Sequence, residues 1–227
     1  MKGKLLLLLL MFRVFVFGQY ISFPPTPNED ETKGLNVNCY LTAIGHPTQK
    51  EKAEFINLLK PYVDSICSKQ NLPKKTVMAM LILEAGFGFT RTGYYANNLG
   101  GVKKWTKDTA NLYVLKGQPD ENEGKCKVIR KTKNGQLIFD EIDRPDNRYR
   151  KFISKQDFVL YLTSTLLHNK RYKPYSDNYA KNLKKGISEI EASLIYAFEL
   201  AQLGKYNHQG GKYYRNAIEN VIKSYKL

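Results

Sequence analysis

Metal-ligating and bridging residues are scarce in this chain. Three cysteines in 227 residues exclude a disulfide-dense scaffold, and the three histidines, His46, His168 and His208, form no cluster at zinc-ligand spacing. Neither a metal nor a cofactor is expected. Internal repeats, heptads and low-complexity tracts are missing too, which excludes solenoids and coiled coils. Acidic residues are in deficit, 21 against 36 lysines and arginines, and the formal charge of +15 favours a polyanionic partner. Nucleic acid, an anionic membrane surface and an acidic wall polymer all satisfy that condition. A hydrophobic content of 42% with 12% aromatics is that of a globular chain with a buried core.

Long apolar runs are confined to the N-terminus. Lys2 and Lys4 precede the run Leu5 to Phe12, and Val16-Phe17-Gly18 follows. A charged head, a greasy middle and small residues near a cleavage point describe a secretory signal peptide over residues 1–18. Arg13 interrupts the stretch and leaves it short for a membrane span. An exported, periplasmic or secreted protein is expected. Removal of the segment takes away Lys2, Lys4 and Arg13 and leaves a charge of +12. Export disfavours nucleic acid as the partner and permits one disulfide among Cys39, Cys67 and Cys126, although Cys67 also fits the apolar face of a helix.

Residues 19–47 contain Phe23-Pro24-Pro25-Thr26-Pro27 and the acidic Glu29-Asp30-Glu31, a pattern of a linker or strap. Thr48 with Glu51 forms a capping-box signature, and apolar residues recur at helical spacing from Ala53 to Cys67. Val77 to Leu83 is apolar on every side and predicts the central buried helix. Between residues 111 and 152 the runs Leu112 to Leu115, Cys126 to Ile129 and Leu137 to Phe139, with Asn134-Gly135 between the last two, predict a small antiparallel β-lobe. Helical periodicity returns at Ser154 to Leu167, Ser188 to Leu203 and Tyr213 to Tyr225. The expected fold is α+β, mainly α, with one domain over residues 48–227.

Glu84 closes the buried helix on the face of Val77, Met80 and Leu81. Burial and the negative end of the helix dipole both raise the pKa of a carboxyl there, which suits a general acid. Gly86 and Gly88 around Phe87 permit a sharp exit, and Asn97-Asn98 adds amides able to bond sugar hydroxyls. Phe87, Phe89, Tyr94, Tyr95 and Trp105 are aromatics able to stack on pyranose rings or to pack in the core.

These stretches resemble the peptidoglycan-cleaving N-acetylglucosaminidases of glycoside hydrolase family 73, the mannosyl-glycoprotein endo-β-N-acetylglucosaminidase-like domains found in flagellar rod-cap hydrolases. The family pattern is Leu-Glu-Ser-Gly-Trp-Gly, then Asn-Asn-Leu-Phe-Gly-Ile-Lys. Here the corresponding residues are Leu83-Glu84-Ala85-Gly86-Phe87-Gly88 and Asn97-Asn98-Leu99-Gly100-Gly101-Val102-Lys103. Tyr149-Arg150-Lys151-Phe152 and Gly204-Lys205-Tyr206-Asn207, followed by the helix from Tyr213, continue the match in order. The resemblance implies a lysozyme-like fold and hydrolysis of the β-1,4 bond after N-acetylglucosamine in peptidoglycan glycan strands. It implies Glu84 as proton donor, Tyr206 near the cleft, and Asn97 and Asn98 shaping it, with Tyr213 alongside as a substrate contact.

Ala85, Phe87 and Gly100 depart from the family's serine, tryptophan and phenylalanine. Where the family places a second acid in the β-lobe, alignment on Asn134-Gly135 puts Lys131; alignment through the later segment offers Asp140, Glu141, Asp143 and Asp146. Glu141 is the favoured candidate. A carboxylate far from Glu84 implies inversion, a near one retention, and the substrate's acetamido group supplies a route needing no protein nucleophile. A lytic transglycosylase and an inactive wall-binding protein are the alternatives. A monomer is expected, held electrostatically to a wall or membrane surface.

Overall fold

The computed structural model describes residues 46–107, 109–114, 128–131, 137–139 and 148–227. The expected signal peptide, most of the strap, Cys39, Cys126, Asn134-Gly135, Glu141 and its acidic neighbours Asp140, Asp143 and Asp146 lie outside those residues.

Helix α1, Gln49–Gln70, starts where the capping box foretold: Thr48 N–H donates to Glu51 Oε2 at 2.7 Å and Glu51 N–H to Thr48 Oγ1 at 3.3 Å. Its buried stripe is Phe55, Leu59, Val63 and Cys67, one residue per turn, each contributing about 1.5–3 kcal/mol for a large side chain fully withdrawn from water. Helix α2, Lys74–Ala85, has no polar face over Thr76 to Ile82 and packs against α1 and the two C-terminal helices. It sits where every side needs apolar company.

Residues after α2 turn sharply. Gly86, Phe87 and Gly88 all have positive φ (50°, 59° and 81°), and the strain on Phe87 is offset by its ring lying edge-on to Phe55 and Tyr225 at 5.9 and 5.0 Å. A short helix α3, Arg91–Ala96, follows under a Thr90 cap.

Among the described residues four strands then follow: β1 Leu112–Val114, β2 Val128–Lys131, β3 Leu137–Phe139 and β4 Arg148–Arg150. They form two separate antiparallel pairs, β1 with β4 (Tyr113 opposite Tyr149) and β2 with β3 (Lys131 opposite Leu137). The first pair is anchored to the helical body by a bridge from Lys103 to Tyr149. Tyr149-Arg150 belongs to strand β4 at the end of the expected β-lobe, just before the helix that starts at Lys155.

Helix α4, Lys155–Tyr161, is capped by Ser154 and relaxes into a π-helical turn over Leu162–Leu166. Helices α5, Lys173–Lys184, α6, Glu189–Gln202, and α7, Gly211–Tyr225, complete the domain. The result is mainly helical α+β, as expected from the sequence. Among the described residues no helix is long and apolar enough to cross a membrane.

Candidate active site

Glu84 stands on the last turn of α2, half-buried, with α7 packed beside it. Burial raises its carboxyl pKa above the ordinary range. Two smaller influences pull it back: a hydrogen-bonding approach from the Tyr214 phenol and the charge of His208. The Tyr214 hydroxyl is near enough to act on the carboxyl electrostatically. Glu84 is thus a carboxyl that favours its proton, with a phenol poised to steady the anion once the proton leaves.

The loop between α6 and α7 brings Tyr206 to the same place. Its backbone is pinned, Tyr206 N–H to Leu200 O at 3.1 Å and Arg171 Nε to Gly204 O at 2.5 Å. Gly204 allows the close approach, because a Cβ there would lie 2.5 Å from Leu200 O and 2.9 Å from Tyr175 Cε2. The Tyr206 ring is held between Tyr172 and Tyr214, with centroids 5.8 and 5.9 Å away. Burial first, and then the charge of Glu84, push its phenol well above the usual tyrosine range. Tyr206 is therefore a donor, not a base. Exposed His208 follows two residues later.

Asn97 and Asn98 are buried and otherwise engaged. Asn97 Nδ2 donates to Phe152 O at 3.2 Å and Ile153 O at 3.1 Å, while its left-handed backbone (φ 51°) ends α3. Asn98 Nδ2 donates to Val102 O and Arg150 O at 2.9 and 2.8 Å, and its Oδ1 accepts from Val102 N–H at 2.8 Å. These amides shape the loop beside β4; their donors are already bonded to the chain and not presented to a sugar.

Phe87 is likewise a core ring, by its contacts to Phe55 and Tyr225. Tyr94 meets Phe89 at 6.0 Å and Tyr95 at 5.0 Å, and the buried Tyr95 stacks on Tyr113 at 6.4 Å and 24°. Phe89, Tyr94 and Tyr113, all half-buried, give a continuous aromatic strip from the α2 exit to β1. Sequence reasoning missed Tyr113, though strand alternation around it was the available signal, and it missed Tyr214, whose place on the inner face of α7 follows from helical spacing with Ile218 and Val221. Trp105, at 70% exposure, and Tyr213, at 55%, project to solvent.

A pocket of about 360 Å³ lies against the α2 exit, lined by His46, Pro47, Lys52, Gly86, Phe87, Phe89 and Thr90, a set without Glu84. Gly100 abuts the Phe158 ring, 2.9 Å from where a Cβ would stand. Lys131 lies on β2, and Glu141 is outside the described residues. Among the described residues no three His, Cys, Asp or Glu side chains gather as a metal site.

Residues 60–227 match the model of the Glucosaminidase family, described as mannosyl-glycoprotein endo-beta-N-acetylglucosaminidase. Among solved structures, the catalytic domain of the autolysin Auto from Listeria monocytogenes is similar at 17% identity and a TM-score of 0.46, over 79% of this chain and 87% of that one. A glycoside hydrolase domain of FlgJ from Salmonella typhimurium is similar at 14% identity and TM-score 0.48, over 77% and 97%. A peptidoglycan hydrolase mutant from Sphingomonas sp. A1 is similar at 19% identity and TM-score 0.43, over 75% and 92%. No curated protein sequence matches the chain.

Proposed function

Because this chain belongs to the mannosyl-glycoprotein endo-β-N-acetylglucosaminidase family and is a glycoside hydrolase, we propose that it is an exported enzyme cutting the β-1,4 bond after N-acetylglucosamine in peptidoglycan, with Glu84 as general acid. The observation that carries the reading is the half-buried, proton-favouring carboxyl of Glu84 at the end of α2, faced by the phenols of Tyr206 and Tyr214.

Protonated Glu84 gives its hydrogen to the departing glycosidic oxygen as the anomeric bond breaks. The acetamido oxygen of the same sugar attacks the anomeric carbon from the opposite face, and water then opens the cyclic intermediate while the Glu84 carboxylate takes back a proton. Lys131 at the family's acid position favours this substrate-assisted route. A carboxylate from the Asp140 to Asp146 segment, Glu141 first, is the protein alternative for activating water. The Tyr206 phenol orients the acetamido group through its hydroxyl or turns its oxygen lone pairs toward the positive charge developing on the ring. Phe89, Tyr94 and Tyr113 offer ring faces to the glycan, and the charge of +12 left after the leader holds the enzyme on an anionic wall.

Digestion of purified sacculi by the leaderless protein, read by mass spectrometry, tests the assignment. New reducing N-acetylglucosamine ends are expected; reducing muramic acid ends or anhydro ends would each name another reaction. Glu84→Gln is expected to lower the rate by roughly 10²–10⁴-fold, and full activity in that variant would sink the general-acid role.

A further inference from the structure

The loop that leaves α2 borders a recess whose wall is basic. The pocket of about 360 Å³ has Lys52 and His46 in its lining and no acid. Its volume is that of a small-ligand site, about 300–1,000 Å³. Gly86, also in the lining, is two residues from Glu84, so the two Cα atoms are at most about 7.6 Å apart. Phe89 lines the pocket and also begins the aromatic strip through Tyr94 and Tyr95 to Tyr113. Pocket and strip are thus continuous.

Lys52 is the unusual member. It stands half-buried at the end of the first turn of α1, with its Nζ 5.6 Å from the centroid of the Phe87 ring, within cation–π range. Two other lysines of α1 have an acid one turn on: Lys50 lies 3.9 Å from Glu54, and Lys60 pairs with Asp64. One turn on from Lys52 stands Ile56. The adjacent Glu51 is committed to the cap, where its Oε2 accepts from both the N–H and the hydroxyl of Thr48 at 2.7 Å. Among the described residues no carboxylate pairs with the Lys52 ammonium. The ring face attracts its charge and leaves its N–H donors for an anion. Partial withdrawal from water strengthens such a pair.

We propose that this pocket is a subsite for the peptide carried by the muramic acid of the glycan, with a peptide carboxylate held by the Lys52 ammonium and the peptide's small apolar side chains against Phe89. The inference rests on peptidoglycan being the substrate. A glycan lying along the aromatic strip offers hydroxyls and neutral acetamido groups, whereas the negative charge of a peptide-bearing strand is on substituents that project sideways from the sugars. A basic, partly aromatic recess one short loop from the acid matches such a substituent. His46, on the exposed rim, adds a ring nitrogen able to bond the same group.

Two soluble substrates separate the sources of charge. One is glycan strands bearing their peptides, freed of cross-links by an endopeptidase; the other is the same strands stripped by an amidase, which keep only the lactyl carboxylate on the sugar. Lys52→Gln is expected to raise KM on peptide-bearing strands by roughly two- to tenfold with kcat held, and to cut stripped strands as the parent does. Lys52→Arg is expected to keep the parent KM, and Lys52→Glu to lose more than Lys52→Gln. Lys50→Gln removes an equal charge outside the pocket and controls for general attraction to an anionic strand. Equal losses on both substrates would assign the charge to the sugar, and an equal loss in Lys50→Gln would assign it to the net charge; either overturns the peptide subsite, as does an unchanged KM in Lys52→Gln.

Calorimetric binding of peptide-bearing strands to the Glu84→Gln protein, with and without Lys52→Gln, makes the same comparison without turnover. A weaker complex in the double variant supports the subsite even where sacculi yield no reducing N-acetylglucosamine ends, an outcome that would remove the proposed cleavage alone. Equal binding by the two proteins overturns the subsite and leaves the cleavage untouched.

Discussion

The Asn98 side chain donates to the backbone oxygen of Arg150, 52 residues away, at 2.8 Å, and so ties the loop after the glutamate helix to strand β4. The same amide closes on Val102 through both its nitrogen and its oxygen. One buried side chain thereby bonds three backbone groups, of which Val102 O also accepts from Arg150 N–H at 3.0 Å.

Asn98→Ala is expected to destabilise the protein by about 1–3 kcal/mol, since Arg150 O and Val102 N–H lose the Asn98 partner while Val102 O keeps the Arg150 N–H. Asn98→Asp keeps the shape and the acceptor but lacks the two donors, and a comparable loss is expected at neutral pH. Urea denaturation of both variants checks this; a loss only in alanine would transfer the role from hydrogen bonding to packing.

The raised pKa of Glu84 makes a signed prediction for stability. The folded protein holds this proton more tightly than the unfolded chain, so stability falls as pH rises from the ordinary carboxylate value of 4.5 through the higher folded value. Below that window both states are protonated and no cost exists. Glu84→Gln is therefore expected to equal the parent at pH 4 and to melt higher than it at pH 7. A variant less stable at pH 7 than at pH 4, relative to the parent, would reverse the sign and place the carboxyl in a charge-favouring environment.

Gly204→Ala would set a methyl 2.5 Å from Leu200 O and 3.1 Å from Tyr172 Cδ1. Overpacking of this kind costs about 1–3 kcal/mol. Because Tyr172 supports the Tyr206 ring, turnover is expected to fall together with the melting temperature, and retention of full kcat would detach Tyr206 from the reaction.

Cys67 is fully buried, and burial pushes its thiol up to about 12. It is a free thiol in the structure, which matches the core reading of that position. At pH 8 it is expected to resist a thiol reagent in native buffer and to react at once in denaturant. Labelling at the rate of a model thiol would show that α1 opens locally.

Much of this architecture can be read from local chemistry. Thr48 and Glu51 announce a helix because both partners of the cap lie within one turn, and Val77 to Leu83 announces a buried helix because no side of it is polar. Glu84 stands out since a carboxyl at the end of such a run is expensive anywhere but a site. Helix α5 escapes the same reading. Its inner face carries Ser176, Tyr179 and Asn182, so aliphatic periodicity is missing although Pro174 stands at its first turn. The partners of Asn97 and Asn98 are hidden from the sequence for a related reason: the Phe152 and Arg150 carbonyls that accept from them lie more than fifty residues further along the chain. The separation of the β-lobe into β1 with β4 and β2 with β3 depends on pairing across dozens of residues, which alternation alone does not encode.

At Gly100, beside the loop that Asn98 holds, a side chain has no free space, a Cβ there standing 2.9 Å from the Phe158 ring. Phe158, projecting from α4, occupies the volume that a side chain at position 100 would claim. The two positions are rival tenants of one chamber, so grafting the family's phenylalanine onto the loop requires evicting Phe158 in the same step, and either change made singly leaves a collision or a void.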